Sequence, residues 1–152
     1  MPGVYAGVGE AAVGTNKTVI NLFQPLASPT DRPSLFDIIV GCSATPADGA
    51  TKFRVQRHTA LGTEGSGFTP VPLDPAEVAS TLDCGVAHSV EPTYTANAVM
   101  LDMSMNQRAT VRWTTDPRYG MKIPAVQNAG IGLFSVSSTV SAAHQATLQW
   151  EE

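Results

Sequence analysis

A chain of 152 residues with 43% hydrophobic content is long enough to bury the core of one domain. Only 14% of it is charged, against about 25% in an average soluble domain, and the balance is acidic at -4. These figures argue against a direct binder of DNA or RNA, which gathers Lys and Arg to neutralise phosphates, and no run approaches the roughly eighteen apolar residues of a membrane span.

The polarity comes instead from Ser, Thr, Asn and Gln, side chains that suit lasting protein contacts because a hydroxyl or amide is far cheaper to bury than a charge. The one dense basic group is Lys52, Arg54, Arg57 and His58. The first 14 residues, MPGVYAGVGEAAVG, have neither the basic start nor the apolar core of an export leader. They are rich in Gly and Ala without a clean period, and residues 1–16 read as an extended arm ahead of a single domain at 17–152.

From there a two-residue alternation recurs. TVINLFQ (18–24) is a short strand, and SLFDIIVGCS (34–43) a central one with both faces largely covered. TKFRVQRHT (51–59) reads as half-buried, with Phe53 and Val55 facing in and Lys52, Arg54, Gln56 and His58 facing out. Pro46, Asp48 and Gly49 supply the turn before it. After the loop LGTEGSG comes TPVPLDPAEVAS, where Pro70 and Pro72 hold the chain extended but unable to ladder fully. Asp74, Pro75 and Glu77 then make an Asp-x-x-Glu box with proline in the first helical slot, which predicts a short helical turn near 74–81 inside a long crossover. Those two carboxylates have a local capping task, so the interruption is architectural.

GVAHSVE (85–91), NAVMLDMSM (97–105) and RATVRWTT (108–115) follow as strands, the last two joined by Asn106 and Gln107 as a hairpin. DPRYG (116–120) is a turn and MKIP an edge segment, and AGIGLFSVSS (129–138) and HQATLQWEE (144–152) complete the strand set. About eight strands, a long central crossover and no long helix predict an all-β, two-sheet antiparallel sandwich of the jelly-roll type. An immunoglobulin-like sandwich would place a tryptophan between its paired cysteines, and none lies between Cys42 and Cys84.

Chemistry is sparse. His58, His88 and His144 stand apart in sequence, outside any metal-ligand spacing, and read as satisfied or solvated strand residues; no metal or other cofactor is expected. Cys42 and Cys84 read as reduced strand thiols. Ser66 misses the nucleophile-elbow pattern because Glu64 occupies its first glycine. The carboxylates Asp31, Asp48, Asp74 and Asp116 fall in turns. No enzyme is expected. Tyr5, Phe68, Tyr94, Tyr119 and Trp113 offer rings that either stack on sugars or rim a protein interface.

The segments RPSLFDIIVGCSATPADGATKFRVQRHT, FTPVPLDP, EPTYTANAVML, NQRATVRW, NAGIGLFSVSS and ATLQWEE together resemble the capsid decoration, or cement, proteins of tailed bacteriophages, from about Asp31 to Glu152. The resemblance implies a jelly-roll virion protein on the outer capsid surface, assembled in the host bacterial cytoplasm. Its implied partners are the major capsid protein and two further copies of itself, as a trimer near three-fold positions. It also places trimer contacts on the 61–73 loop and on Arg118 and Tyr119, with Phe68 and Tyr94 as further interface residues and Val4 and Tyr5 reaching a neighbouring capsid subunit. The other expectation from the fold and the tyrosines is a carbohydrate- or host-surface-binding module.

Overall fold

The computed structural model describes residues 2–152; Met1, at the head of the expected arm, and the side chains of Ser66 and Gly67 lie outside the described set. Two antiparallel sheets pack face to face, as the alternation predicts. The first holds β1 (Val4–Ala12), β3 (Ser34–Cys42), β9 (Thr110–Thr114) and β12 (Ala143–Glu151), with the two-residue β6 (Val71–Pro72) and β10 (Met121–Lys122) at its margins. The second holds β2 (Lys17–Phe23), β4 (Ala50–Ala60), β8 (Thr93–Asn106) and β11 (Gly130–Ser138), extended beyond β2 by β7 (Asp83–Val86) and β5 (Ser66–Phe68).

The order of the long strands is β1-β12-β3-β9 in one sheet and β2-β11-β4-β8 in the other. Each outer strand of the chain therefore pairs with its mirror partner: β1 with β12, β2 with β11, β3 with β9, β4 with β8. That is one long antiparallel hairpin rolled into a double sheet, the jelly-roll solution. Between the sheets lie Ile20, Leu22, Leu35, Ile38, Phe53, Val55, Leu133, Leu148 and Trp150, all essentially without solvent exposure.

Four expectations are corrected. Residues 4–12 are extended, but they form a ladder strand along β12 from Val4–Glu151 to Ala12–Ala143, not a free arm. Their apolar rhythm is inverted: Val4, Ala6 and Val8 face outward, while Gly3, Tyr5, Gly7 and Gly9 are buried. A Cβ on Gly7 would stand 2.5 Å from the Cys84 sulfur, and one on Gly9 2.7 Å from the Val19 carbonyl oxygen, so the core itself occupies the space that side chains would fill.

The stretch 97–105/108–115 is not a hairpin, because β8 and β9 belong to different sheets. Gln107 is buried and donates to the Val140 carbonyl at 2.9 Å while accepting from the Ala47 amide at 3.2 Å, which anchors the link as it crosses from sheet to sheet. At 74–81 there is a single hydrogen-bonded turn and no helix. Asp74 accepts from the Ala76 amide at 2.9 Å and the Glu77 amide returns to the Asp74 carbonyl at 3.0 Å, after which the chain runs on irregularly to bond with Glu152. The Asp-Pro signal is realised as a helical turn later, at Pro117–Tyr119, where Asp116 caps the Arg118 amide at 2.9 Å. Finally, the 85–91 strand ends at Val86, since Ala87 has a φ of 52° that breaks extended backbone.

The strand ends are unequal. At one end short turns are tied across the sandwich, as Val13 to Ala142 at 3.0 Å and Ser43 to Ala143 at 2.9 Å. At the other end, where β2 finishes and β3 and β11 begin, the long connections 24–33, 73–82, 115–120 and 123–129 gather.

Because Tyr5 is 2% exposed and stacks on Trp150 at 6.1 Å, Tyr5→Ala is expected to cost about 3 kcal/mol or more in urea unfolding, where a free arm would lose almost nothing. The cysteines offer a second check. Cys84 is buried, and burial with Asp83 and Glu64 nearby pushes its thiol up to about 12, whereas Cys42 is only half-buried. A thiol reagent is expected to modify Cys42 alone in the native protein and both cysteines after denaturation.

Candidate interaction surface

The outer face of the first sheet carries the low charge of the composition. Across its strands run Ala6, Val8, Gln149, Thr147, Gln145, Ile39, Thr114 and Thr110, flat neighbours in register. One ion pair sits in the middle of them. Asp37 is buried, and Arg112 folds over it, donating from Nε at 3.0 and 3.1 Å and also from its terminal nitrogen. The pair hides its own carboxylate, and the rest of the face is mostly threonine, glutamine and small apolar groups, with Glu10 and Glu151 at the ends of their strands.

The long-loop end is more apolar. Leu26, Leu73, Val78, Tyr119 and Val126 are exposed on its loops, between 48% for Leu26 and 77% for Tyr119. The loops are fixed from below. Gln127 donates to the Pro25 carbonyl at 3.3 Å and the Asn128 amide to Gln24 at 2.8 Å, which joins 24–33 to 123–129. Ser34 bonds the Pro117 carbonyl under the 115–120 turn. Glu152 takes the Thr81 amide at 2.8 Å and the Trp150 indole at 2.9 Å, holding the end of the crossover against the core. Exposed aliphatic groups on loops whose backbone is tied down lose little entropy on being covered.

Of the residues singled out from sequence, Val4 is half-buried and lines a shallow hollow of about 460 Å³ with Pro2, Leu73, Asp74 and Glu77. Tyr5 is core, its hydroxyl donating to the Val78 carbonyl at 3.1 Å, so it cannot reach a neighbouring molecule. Phe68 is exposed at the β5 edge. Arg118 and Tyr119 are exposed together, the guanidinium 5.8 Å from the ring centre and bonded to Asp116. Tyr94 lies on the outer face of the second sheet, stacked on Phe134 at 4.2 Å with its hydroxyl 2.8 Å from Thr18 Oγ1; burial raises its phenol above the ordinary range. The structure joins Val4 to the crossover, and keeps Tyr94 and Tyr119 on separate elements. Tyr5 and Tyr94 offer no free stacking face. Leu73 closes the 61–73 loop named from sequence, whereas Leu26, Val78 and Val126 were missed; the signal for them is an aliphatic residue inside a loop run rich in Pro, Ser, Ala or Asp, as in PLASP and PAVQN.

The second sheet departs from expectation at its outer face. Gln56 and His58 do lie opposite Phe53 and Val55, but they are buried, because residues 61–65 and 87–92 form a strap over them. Gln56 donates to the Thr95 carbonyl at 2.6 Å, and the His58 ring meets Tyr94 edge-on at 6.2 Å. The histidines are neither solvated nor fully satisfied. His58, His88 and His144 are all buried, and Nδ1 of His58, both ring nitrogens of His88 and Nε2 of His144 lack a partner. Lys52 and Arg54 close on Asp102, at 3.1 and 2.7 Å, and hold its carboxyl down at about 2, so the basic group is not an open cationic patch. Among the described residues, no three His, Cys, Asp or Glu side chains are placed to hold a metal ion.

No protein-family model matches the chain, and no curated protein is significantly similar to it.

Burial, and then the nearby His88, lower His58 from 6.5 to about 4. The unfolded chain therefore binds its proton first as the pH falls. Stability is expected to be complete above pH 6.5 and to drop by about 3 kcal/mol as the pH approaches 4, with His88 and His144 adding in the same direction. Urea unfolding at a series of pH values, compared with His58→Gln, reads this directly: the variant is expected to flatten the profile.

Proposed function

We propose that the protein is a structural component of a tailed-phage virion, a decoration protein that binds the outer surface of the assembled capsid and cements it. The observation that carries this reading is the pairing of a jelly roll with two candidate contact regions, the outer face rich in threonine and glutamine and the loop end with its exposed Leu26, Leu73, Val78, Tyr119 and Val126. The segments that resemble cement proteins supply β3, β4, β8, β9, β11 and β12, the strands of that framework. The partners are the major capsid protein and two further copies of the chain, as a trimer at three-fold positions. Arg118 and Tyr119 sit on the loop end suited to such contacts, and Tyr5, being core, leaves Val4 and Leu73 as the contact residues of its region.

The mechanism is thermodynamic. A subunit that binds the expanded lattice and not its dissociated parts stabilises that lattice by mass action. If each trimer spans several capsid subunits, linked contacts act at effective concentrations on the order of millimolar, and rupture must break them together.

Purified protein mixed with undecorated expanded capsids is expected to bind to saturation and to raise the rupture temperature, while Tyr119→Asp combined with Leu73→Asp weakens binding at least tenfold, as two charges buried at an interface require. Failure to bind, with the chain folded by circular dichroism, would remove this reading.

A further inference from the structure

A strand at the margin of a sheet carries a row of amides and carbonyls that pair with any other strand able to reach them. Most margins of this sandwich are blunted by brevity. β6 and β10 have two residues each, β5 three and β9 five, and β6 ends in Pro72. β8 is the exception. It has 14 residues, and among the described residues it pairs with β4 alone. Residues 99–106, VMLDMSMN, contain no Lys, Arg or Pro to guard the open side. Their one charge, Asp102, is turned back onto Lys52 and Arg54 of β4, at 3.1 and 2.7 Å.

The ladder locates the free groups. β4 and β8 keep an unbroken register from Val55↔Leu101 to Ala50↔Asn106, and the Gln107 amide continues it by donating to Gly49 at 3.0 Å. Past Val55 the register shifts and Asn97 has a φ of 59°, so the regular segment ends there. Bonding alternates along an antiparallel ladder. Leu101, Met103 and Met105 therefore bond β4, while Asp102 and Ser104 aim their amides and carbonyls at the open side. The side chains divide by face in the same rhythm. Asp102 and Ser104 are exposed on the outer face, whereas Met103 and Met105 are buried at 8% and 6% on the inner one, beside a half-buried Leu101.

This segment complements itself. Two copies laid antiparallel about a two-fold axis through Met103 set Asp102 opposite the copy's Ser104, and Leu101 opposite the copy's Met105. Asp102 and Ser104 then exchange about four backbone hydrogen bonds with their counterparts. Across the joined outer face each row reads Lys52, Ser104, the copy's Asp102, the copy's Arg54, with no like charges adjacent. The neighbouring registers fail. A centre at Asp102 sets two carboxylates face to face. A centre at Ser104 brings Leu101 against the copy's Gln107, which is buried, tied to Val140 and already past the end of the strand.

We propose that residues 101–106 of β8 are a docking edge for a second copy of this chain, paired antiparallel about Met103, so that two copies of the six-stranded second sheet become one continuous sheet. Residues 99–106 include none of the contact groups named for the virion reading. A two-fold contact here leaves the loop end and the threonine-rich face free, and it stands independently of that reading.

Sedimentation of the pure chain at about 100 μM is expected to show a species built from an even number of 15.9 kDa chains; a single chain or a trimer overturns the proposal. Ser104→Asp stands beside Lys52 in its own chain but opposite the copy's Asp102, and is expected to weaken the pairing about tenfold. Pairing at full strength in that variant counts against the edge. The unaltered protein gives a second reading by amide exchange. On dilution to single chains, the amides of Asp102 and Ser104 are expected to exchange at least tenfold faster, while those of Met103 and Met105 keep their rates. Unchanged exchange at Asp102 and Ser104 in a sample that does dissociate would place the contact elsewhere. Protection of these two amides only on adding undecorated capsids, with the pure chain staying single, would give the edge to a capsid strand and likewise sink the assignment.

Discussion

Everything in this fold depends on pairing the start of the chain with its end. β1 lies along β12 for its whole length, and each strand inward of them repeats the relation until β4 meets β8. None of these pairings is local, since even the innermost, β4 with β8, spans the whole of residues 61–92, so the chain must close its largest loop before the outermost ladder contributes anything. The compensation is that the closing pair is anchored by buried side chains. Tyr5 and Trp150 stack across it, the indole bonds Glu152, and Glu152 in turn fixes residues 80–82 of the crossover. Loosening the first strand therefore releases the crossover and exposes the Cys84 side of the core.

That dependence explains what the sequence revealed and what it hid. Strands whose inner positions carry large apolar groups were legible, because Phe53, Val55, Leu148 and Trp150 each alternate with polar neighbours. β1 was not, since its inner positions are mostly glycine and its outward ones are Val and Ala, which inverts the usual rhythm. The false hairpin at 106–109 has a similar cause. A short link between two strands looks the same whether it joins neighbours or crosses between sheets, and only Gln107, buried among Thr51, Ser138 and Val140, distinguishes them. The Asp-Pro box at 74–77 was read correctly as a cap, but a cap without a following apolar face makes one turn and stops.

The candidate surface was legible in composition and not in residues. A charge content of 14% leaves much of the surface to uncharged polar groups, yet most of the individual residues first chosen for contact were aromatic, and aromatics in a small sandwich are readily claimed by the core. Tyr5 went that way, stacked on Trp150, while Tyr94 lies half-buried against Phe134 on the outer face of the second sheet. Beside the exposed Phe68 and Tyr119, the apolar groups of the loop end are aliphatic, and there no periodicity marks them and the position of each depends on which strands the loop joins.

The few titratable groups are distributed unevenly. The three histidines are inside, Asp37 is hidden under Arg112, and Asp102 is clamped by Lys52 and Arg54. A change of pH from neutral to mildly acid therefore acts first on the interior, where His58 resists its proton, and barely on the threonine, glutamine and aliphatic groups that face outward. Contact strength and fold stability are thereby governed by different residues. Under the proposed role as a decoration protein, this separation means that loss of binding in mild acid follows from the buried histidines and the fold they destabilise more than from the contact groups themselves.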